Sequence, residues 1–328
     1  MREVELTDEL EGEYLPPEDL SFKKIGNAMP ISADHHFDLN FLPSQPLAVS
    51  HVHSLLFIAH STGFCVVRTK DVIDALKKLK HECSVRDACL VDVCRLPSGF
   101  RVRSLSLSYD CSILAVGSFA HDIKFYSVAS FLKQEEKIVF SCSLDQTNAI
   151  KDLQWRKSLQ NSFIVLSDKG ELHYGALGVP LKRIFENVDA AEWSPRGKYI
   201  AVARESKISV FSSEFKEELS ISLHFDSWLA DSDPDNIVRV DSIKWVRQDS
   251  LVVGCFQRTN AGDEETYLLQ VITSNKGKIT DNNSELVVRS FYDVFIDVTD
   301  NMIPCGTGPY LSHSYLKSRL QLLQTKRI

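Results

Sequence analysis

The chain of 328 residues is 44% hydrophobic, enough to fill the cores of two average domains or of one large repeat-built domain. Its formal net charge is −7, and residues 1–20 alone hold eight acids and one base. The remainder has equal numbers of acids and bases, which argues against a broad nucleic-acid-binding face because phosphate binding needs concentrated Lys and Arg.

The acidic residues 1–20 are predicted to form a disordered, solvated tail, and a docking element is the alternative. This end of the chain has no basic region followed by an apolar run, so we expect no signal peptide. In the reducing compartment that this implies, the eight cysteines are expected to be free thiols. No apolar stretch reaches the roughly 20 residues that a membrane-spanning helix needs, so no membrane insertion is expected.

The central part of the chain repeats itself at intervals typical of a repeat fold. A loose first copy is PLAVSHVHSLLFIAHS from Pro46. Four closer copies follow: VRSLSLSYDCSILAVGS from Val102, IKDLQWRKSLQNSFIVLS from Ile150, VDAAEWSPRGKYIAVAR from Val188 and VDSIKWVRQDSLVVGCF from Val240. One equivalent position is occupied in turn by Leu107, Trp155, Trp193 and Trp245. A period of about 40 to 50 residues with strands and turns predicts an all-β protein, a β-propeller of WD-type four-stranded blades.

The second strand of each copy is apolar on both faces, as in LLFIA, ILAVG, FIVLS, YIAVA and LVVGC. Strands that lie between neighbouring blades are buried on both faces, which removes the usual alternation. The three repeated tryptophans are predicted to pack between blades. The rival fold, an α/β domain with a parallel sheet, needs amphipathic helices between the strands. One such segment is present, residues 69–82, and it is predicted to be a helix inserted between the first and second blades.

The propeller is predicted over residues 21–315, followed by an irregular basic tail over 316–328. Repeat units are expected near 46–73, 102–128, 150–177, 188–213 and 240–272, with a partial sixth near 286–315. Five to six blades can be recognised in this way. We therefore expect a ring that is incomplete at its C-terminal end, with an exposed blade edge.

The sequence carries no recognisable motif for catalysis or cofactor binding. The sequence contains no phosphate-binding loop, dinucleotide fingerprint, nucleophile elbow or zinc-protease motif. His81, Cys83, Cys89 and Cys94 are conceivable zinc ligands, but their spacing matches no usual zinc finger. No acid or histidine recurs on the inner strands, where a propeller enzyme would need them. The chain is predicted to be non-enzymatic, without cofactor or metal, and a propeller enzyme is the third-ranked alternative.

Two acidic segments are the predicted partner-binding residues. The first, HFDSWLADSDPDN, lengthens one connection between blades and contains Asp226, Trp228, Asp231, Asp233 and Asp235. The second, RTNAGDEETY, contains Asp263, Glu264 and Glu265. Long loops in compact folds are often functional, and acids interleaved with apolar residues suit a basic partner. A solvated loop and an ordinary hairpin tip are the alternatives for these two segments.

Three segments carry a resemblance to a known family: PLAVSHVHSLLFIAHSTGFCVVRTKDVI, AEWSPRGKYIAVARESKISVF and DSDPDNIVRVDSIKW. In this order the chain resembles the N-terminal β-propeller of the large cytoplasmic-side nucleoporin, which carries Phe-Gly repeats and docks a helicase, in a plant-like and C-terminally truncated form. The resemblance covers roughly residues 20–315.

The resemblance implies a seven-bladed propeller at the cytoplasmic side of the nuclear pore complex, in the nuclear envelope. Its implied partners are a DEAD-box RNA helicase and other pore components, and its implied role is support of messenger RNA export. The family's coiled coils and Phe-Gly repeats are absent from this sequence. The family's helicase-contact loops lie largely in later blades, so none is transferred here to a residue. A generic WD-type interaction adaptor outside the pore is the alternative function.

Overall fold

The computed structural model describes residues 43–60, 62–77, 85, 89–93, 101–157, 161–223, 237–245, 250–258, 265–274 and 286–294. Within these residues, 20 strands form five four-stranded antiparallel sheets, each running in chain order. The first sheet contains β1 Leu47–Ser50, β2 Leu55–His60, β3 Gly63–Arg68 and β4 Val91–Val93. The second contains β5 Val102–Leu107, β6 Ile113–Ser118, β7 Asp122–Ser127 and β8 Ile138–Ser143.

The third, fourth and fifth sheets repeat this design. The third contains β9 Ile150–Trp155, β10 Ser162–Ser167, β11 Leu172–Ala176 and β12 Val179–Phe185. The fourth contains β13 Ala190–Trp193, β14 Tyr199–Arg204, β15 Lys207–Ser212 and β16 Glu217–Ser222. The fifth contains β17 Ile237–Trp245, β18 Ser250–Arg258, β19 Glu265–Ser274 and β20 Leu286–Val294.

The first strands of successive sheets lie next to one another, β1 against β5, β5 against β9, β9 against β13 and β13 against β17. A parallel bridge between Gln45 and Ser104 shows that the first two of these strands run in the same direction. The sheets are therefore stacked around a common axis with their first strands innermost, which is the arrangement of a β-propeller. The prediction of an all-β propeller is confirmed.

The stacking gives the molecule two faces, which we name by their connections. The first-turn face carries the turns between the first and second strands of each sheet, among them residues 51–54, 108–112 and 194–198. The linker face carries the connections from one sheet to the next, among them residues 144–149 and 186–189. Loops on the linker face bond to each other, as where the Val188 N–H donates to the Gly170 carbonyl at 2.9 Å.

The second strands are buried as predicted. Every residue of β10 is buried, as are most residues of β6 and β14. The outermost strands differ, since β8 and β16 both alternate between exposed and half-buried residues. The predicted units ended after the third strand, because an outer strand is covered on one face only and its apolar pattern is weak.

Two features lie elsewhere than predicted. The helix α1 covers Thr69–Lys77 and joins β3 to β4 inside the first sheet, rather than linking the first and second blades. Strand β20, expected to open a partial sixth unit, pairs with β19 and completes the fifth sheet. Both differences arise because the fourth strand of each sheet was not recognised. A short second helix, α2, covers Val128–Leu132 and joins β7 to β8.

The repeated tryptophans are buried between sheets, which confirms the sequence prediction. Trp155 packs with Phe125 of the second sheet and Phe163 of its own sheet. Trp193 belongs to a cluster that joins the third and fourth sheets, and Trp245 to one that joins the fourth and fifth. Because an indole buries a large apolar area, each tryptophan stabilises the contact between two neighbouring sheets.

Neither helix among the described residues is long and apolar enough to cross a membrane. The five described cysteines are all free thiols: Cys65, Cys89, Cys111, Cys142 and Cys255. Burial raises the pKa of the Cys142 thiol to about 12, so this group stays protonated at neutral pH. Of the conceivable zinc ligands, His81, Cys83 and Cys94 lie outside the described residues.

Candidate interaction surfaces and the central channel

Most residues of the two predicted acidic segments lie outside the described residues. Residues 224–236 contain Asp226, Trp228, Asp231, Asp233 and Asp235, and residues 259–264 contain Asp263 and Glu264. Glu265 is the exception, because its backbone begins strand β19. The role of these residues in partner binding stays a prediction.

The ends of the flanking strands show where both acidic segments join the fold. Ile237, which follows the first segment, pairs with Arg258, which precedes the second. Arg258 also pairs with Glu265, where the second segment ends. The two segments, separate in the sequence, are thus attached to one corner of the fifth sheet, on the linker face.

Further acids occupy the linker face of the second, third and fourth sheets. Exposed carboxylates there belong to Asp145, Asp168, Glu186 and Glu205. The Asp168 carboxylate accepts a hydrogen bond from the Ala149 N–H at 2.9 Å, which fixes the start of β9 to the β10–β11 turn within the third sheet. Basic groups lie among these acids: Lys169 and Lys207 are exposed near Asp168 and Glu205. Arg183 bonds Glu171 at 2.9 Å and contacts Glu186 at 3.3 Å. These acids leave no recognisable signal in the sequence because they lie in short, separate turns.

The inner strands line an open cavity of about 380 Å³. Its apolar wall comes from the first two sheets and includes Leu47, Val49, Leu105, Leu107 and Tyr109. The third, fourth and fifth sheets contribute the polar Gln154, Lys157, Glu192 and Lys244 together with the apolar Leu153, Trp155 and Trp193. The volume lies near the lower end of the range of about 300–1,000 Å³ for ligand pockets.

Asp152 is the centre of a buried hydrogen-bond network beside this cavity. Its carboxylate accepts hydrogen bonds from the Gln45 side chain at 2.7 Å, the Gln154 side chain at 2.6 Å and the Leu153 N–H at 2.8 Å. Burial raises the pKa of Asp152, while the bond from Gln154 and the charge of Lys244 oppose this rise. The network joins Gln45, just before β1, to the innermost strand of the third sheet.

Glu192 forms a second buried acidic site on strand β13. Its two carboxylate oxygens lie 2.8 and 2.9 Å from the Lys244 Nζ, so the ion pair bridges the fourth and fifth sheets. Burial raises the pKa of Glu192, and the Lys244 charge opposes this rise. Two inner strands thus carry one buried acid each, which does not contradict the prediction that no acid recurs on the inner strands. Asp152 and Glu192 escaped notice because they occupy different positions within the repeat.

The repeated tryptophans make a recurring hydrogen bond with one exception. The Trp155 Nε1–H donates to the Ser106 carbonyl at 3.0 Å, and the Trp245 Nε1–H donates to the Glu192 carbonyl at 3.1 Å. Each acceptor is the residue before the equivalent position of the preceding sheet. The buried Trp193 Nε1–H has no hydrogen-bond partner, and the Arg156 guanidinium instead lies 5.4 Å from the Trp193 ring centre. The channel wall combines apolar area with one ion pair, between Glu192 and Lys244.

Comparison with known proteins identifies the fold. No family model matches the sequence, and no curated protein sequence matches it either. The chain is similar to the crystal structure of the N-terminal domain of Nup159, with a TM-score of 0.54 and 14% identity over 76% of this chain and 64% of that one.

Two further solved structures have similar folds. One is a chain of an S. cerevisiae complex in which a Dbp5 variant is bound to Nup159, a Gle1 variant, IP6 and ADP. It matches with a TM-score of 0.52 and 14% identity, over 78% of this chain and 64% of that one. The β-propeller domain of Cps50 (Swd1) from Myceliophteria thermophila matches at 0.52 and 8% identity, over 79% and 74%. The chain thus has the fold of an N-terminal Nup159-like β-propeller, as the sequence resemblance predicted, and it spans 64% of the length of the Nup159 domain.

Proposed function

We propose that this chain is a non-enzymatic docking propeller of the nuclear pore complex. It binds a DEAD-box RNA helicase on the cytoplasmic side of the nuclear envelope and so supports messenger RNA export. Other pore components hold it in place, and it makes no direct contact with nucleic acid. The observation that carries this proposal is the similarity of its fold to the N-terminal domain of Nup159, a protein also present in a solved complex with the helicase Dbp5.

The acidic linker face supports this function. Asp145, Asp168, Glu186 and Glu205 are exposed there on three consecutive sheets. The predicted partner-binding acids join the same face at the neighbouring fifth sheet, because both segments attach beside the Ile237–Arg258 pair. A surface whose turns carry more acids than bases raises the rate at which a basic partner associates and orients it on approach. A basic surface of the helicase is the complement that this face requires.

The proposal is tested by titrating the helicase of the same organism with the full chain at two salt concentrations. Asp231, Asp233 and Asp235 are replaced together by Ser in the test variant. The matched control replaces Glu135 and Glu136 by Gln, two exposed acids in the connection after α2 on the first-turn face. We expect the triple variant to bind at least about tenfold more weakly at low salt, with a smaller loss at high salt because ions screen the charges. The control variant should bind like the original chain.

Two results would contradict specific parts of the proposal. Equal helicase affinity of the triple variant and the original chain would remove residues 231–235 from the interface. No helicase binding by the original chain at either salt concentration would reject helicase docking itself.

A generic WD-type adaptor is the second candidate function, and the similarity to the Cps50 (Swd1) propeller favours it. Affinity capture of the tagged full chain separates the two candidates. Recovery of pore components together with a DEAD-box helicase supports the first function, whereas recovery of an unrelated assembly supports the second.

A further inference from the structure

The first-turn face presents apolar side chains around the mouth of the central cavity. Val49, Val52 and Tyr109 are exposed there by 39%, 57% and 59%. Val49 and Tyr109 also line the cavity, whose apolar wall continues inward to Leu107. Exposed apolar groups that lead into a concave site are typical of a surface that receives a partner.

Basic side chains lie on the opposite side of the same mouth. They come from the first turns of the third and fourth sheets and are Arg156, Lys157, Arg196 and Lys198, which we call the basic collar. The Arg156 Nε–H donates to the Gly197 carbonyl at 2.7 Å, so the two turns are held together. Lys157 lines the cavity itself.

Few of the described first-turn residues are acidic. Among the described first-turn residues 51–54, 108–112, 156–157 and 194–198, four are Arg or Lys and one, Asp110, is acidic. The Asp110 carboxylate accepts hydrogen bonds from the Ser108 and Ser112 hydroxyls at 2.6 and 2.8 Å. Deeper in the channel, Glu192 and Lys244 neutralise each other. The mouth is therefore positively charged on one side and apolar on the other.

We propose that this mouth binds an acidic peptide segment of a partner protein that carries one large apolar side chain. The apolar side chain enters the cavity against Leu107 and Tyr109, and flanking carboxylates contact the basic collar. The charge of the collar and the apolar wall select this occupant together. A single-stranded nucleic acid is disfavoured because it needs a row of aromatic platforms, and Tyr109 is the one exposed aromatic side chain among these described turns.

This site is distinct from the acidic linker face, since it lies at the other end of the inner strands. The proposal therefore does not rest on helicase docking. Variants of Asp231, Asp233 and Asp235 should leave peptide binding at the mouth unchanged, so the two proposals fail separately.

The test measures fluorescence anisotropy of a labelled peptide against the full chain. The probe is a short peptide of alternating Glu and Ser around one central Leu, and the control peptide has Ser at the centre. We expect the Leu peptide to bind about tenfold more tightly than the Ser peptide, and both to bind more weakly at high salt.

Variants of the chain locate the binding site. Replacing Lys157 and Lys198 together by Gln should weaken binding of the Leu peptide about tenfold, and Val49→Glu should do the same by placing a carboxylate at the apolar wall. The matched control replaces Lys133 and Lys137 by Gln, two exposed lysines after α2. This control should bind the Leu peptide like the original chain.

Four results would overturn the proposal. The first is that the Leu peptide does not bind, and the second is that the Leu and Ser peptides bind with equal affinity. The third is that a poly-uridine oligonucleotide at equal concentration displaces the Leu peptide. The fourth concerns the acids of residues 1–20. If a full chain with these acids replaced by Ser bound the Leu peptide about tenfold more tightly, the chain's own N-terminal segment would be the occupant in place of a partner.

Discussion

The Trp245 indole N–H donates to the Glu192 backbone carbonyl at 3.1 Å, across the junction between the fourth and fifth sheets. Trp155 makes the equivalent bond to Ser106 of the second sheet at 3.0 Å. The innermost strands are thus joined by a polar contact as well as by apolar packing. Trp193 is packed in the same way, but its N–H lacks an acceptor. Comparing the three tryptophans therefore separates the contribution of the hydrogen bond from that of apolar packing.

Replacement of each tryptophan by Phe should therefore destabilise the protein unequally. Trp155→Phe and Trp245→Phe lose packing and a hydrogen bond that contributes about 1 kcal/mol. Trp193→Phe loses similar packing but also removes a buried donor without a partner, which is itself unfavourable. The free energy of unfolding, measured by urea denaturation, should fall by about 1 kcal/mol more for Trp155→Phe and Trp245→Phe. Equal losses for all three variants would show that the hydrogen bonds contribute nothing.

A side chain at Gly197 should lower the stability of the protein. Its φ of +64° is in the left-handed region, and an added Cβ would lie 3.0 Å from both the Lys157 carbonyl oxygen and the Arg156 Cγ. Gly178 is the matched control, because its φ is +77° and nothing lies within 4 Å of its added Cβ. Gly178→Ala should cost about 1 kcal/mol from backbone strain alone. Gly197→Ala should cost more, seen as a larger drop in Tm, and a smaller drop than in Gly178→Ala would refute the steric argument.

The buried carboxyl of Glu192 should make stability depend on pH. Burial raises its pKa in the folded state, although Lys244 opposes the rise. The folded state therefore holds the proton more tightly than the unfolded state, and Glu192 makes the protein less stable as pH rises from the ordinary Glu pKa of about 4.3 through the raised value. The stability of the original chain relative to Glu192→Gln should fall over this range, as measured by urea denaturation at a series of pH values.

Glu217 provides a control because its pKa is shifted in the opposite direction. Its burial acts to raise the pKa, but hydrogen bonds from Lys207, Ser220 and Ser209 together lower it. Glu217 therefore contributes stability above the ordinary Glu pKa that is lost as pH falls. The stability of the original chain relative to Glu217→Gln should rise with pH. If the relative stability changed in the same direction with pH for Glu192→Gln and Glu217→Gln, the assigned directions of the two pKa shifts would be contradicted.

The aromatic contact between the second and third sheets should be a major source of stability. The Phe125 ring is fully buried, with its centre 4.9 Å from Phe163 and 5.6 Å from Trp155. Phe125→Ala should cost about 3–5 kcal/mol of the free energy of unfolding because it leaves a cavity in the core. Phe140 is half-buried on the outer strand β8, 5.4 Å from Phe125. Phe140→Ala should lower the free energy of unfolding clearly less, as measured by urea denaturation. A larger loss for Phe140→Ala than for Phe125→Ala would contradict the assignment of Phe125 to the core.

Local patterns in the sequence were sufficient to predict the repeat, the buried second strands and the burial of Trp155, Trp193 and Trp245. These features follow from which residues occur at which spacing, and a strand covered on both faces leaves an unmistakable apolar run. The outer strands left a weak signal, since Glu217–Ser222 is half-buried on one face and exposed on the other. Because the outer strands were not predicted, α1 was assigned to the connection after the first sheet instead of the connection inside it. For the same reason β20 was assigned to a sixth unit instead of the fifth sheet.

The sequence by itself therefore determined the class of fold and the apolar surfaces that stack the sheets. The tertiary structure alone decided which polar groups meet: Gln45 with Asp152, Glu192 with Lys244, and the bases of two separate turns at one mouth of the channel. The physical reason is that apolar burial depends on local periodicity, whereas hydrogen bonds and ion pairs between sheets depend on how far each inner strand is shifted and rotated against the next.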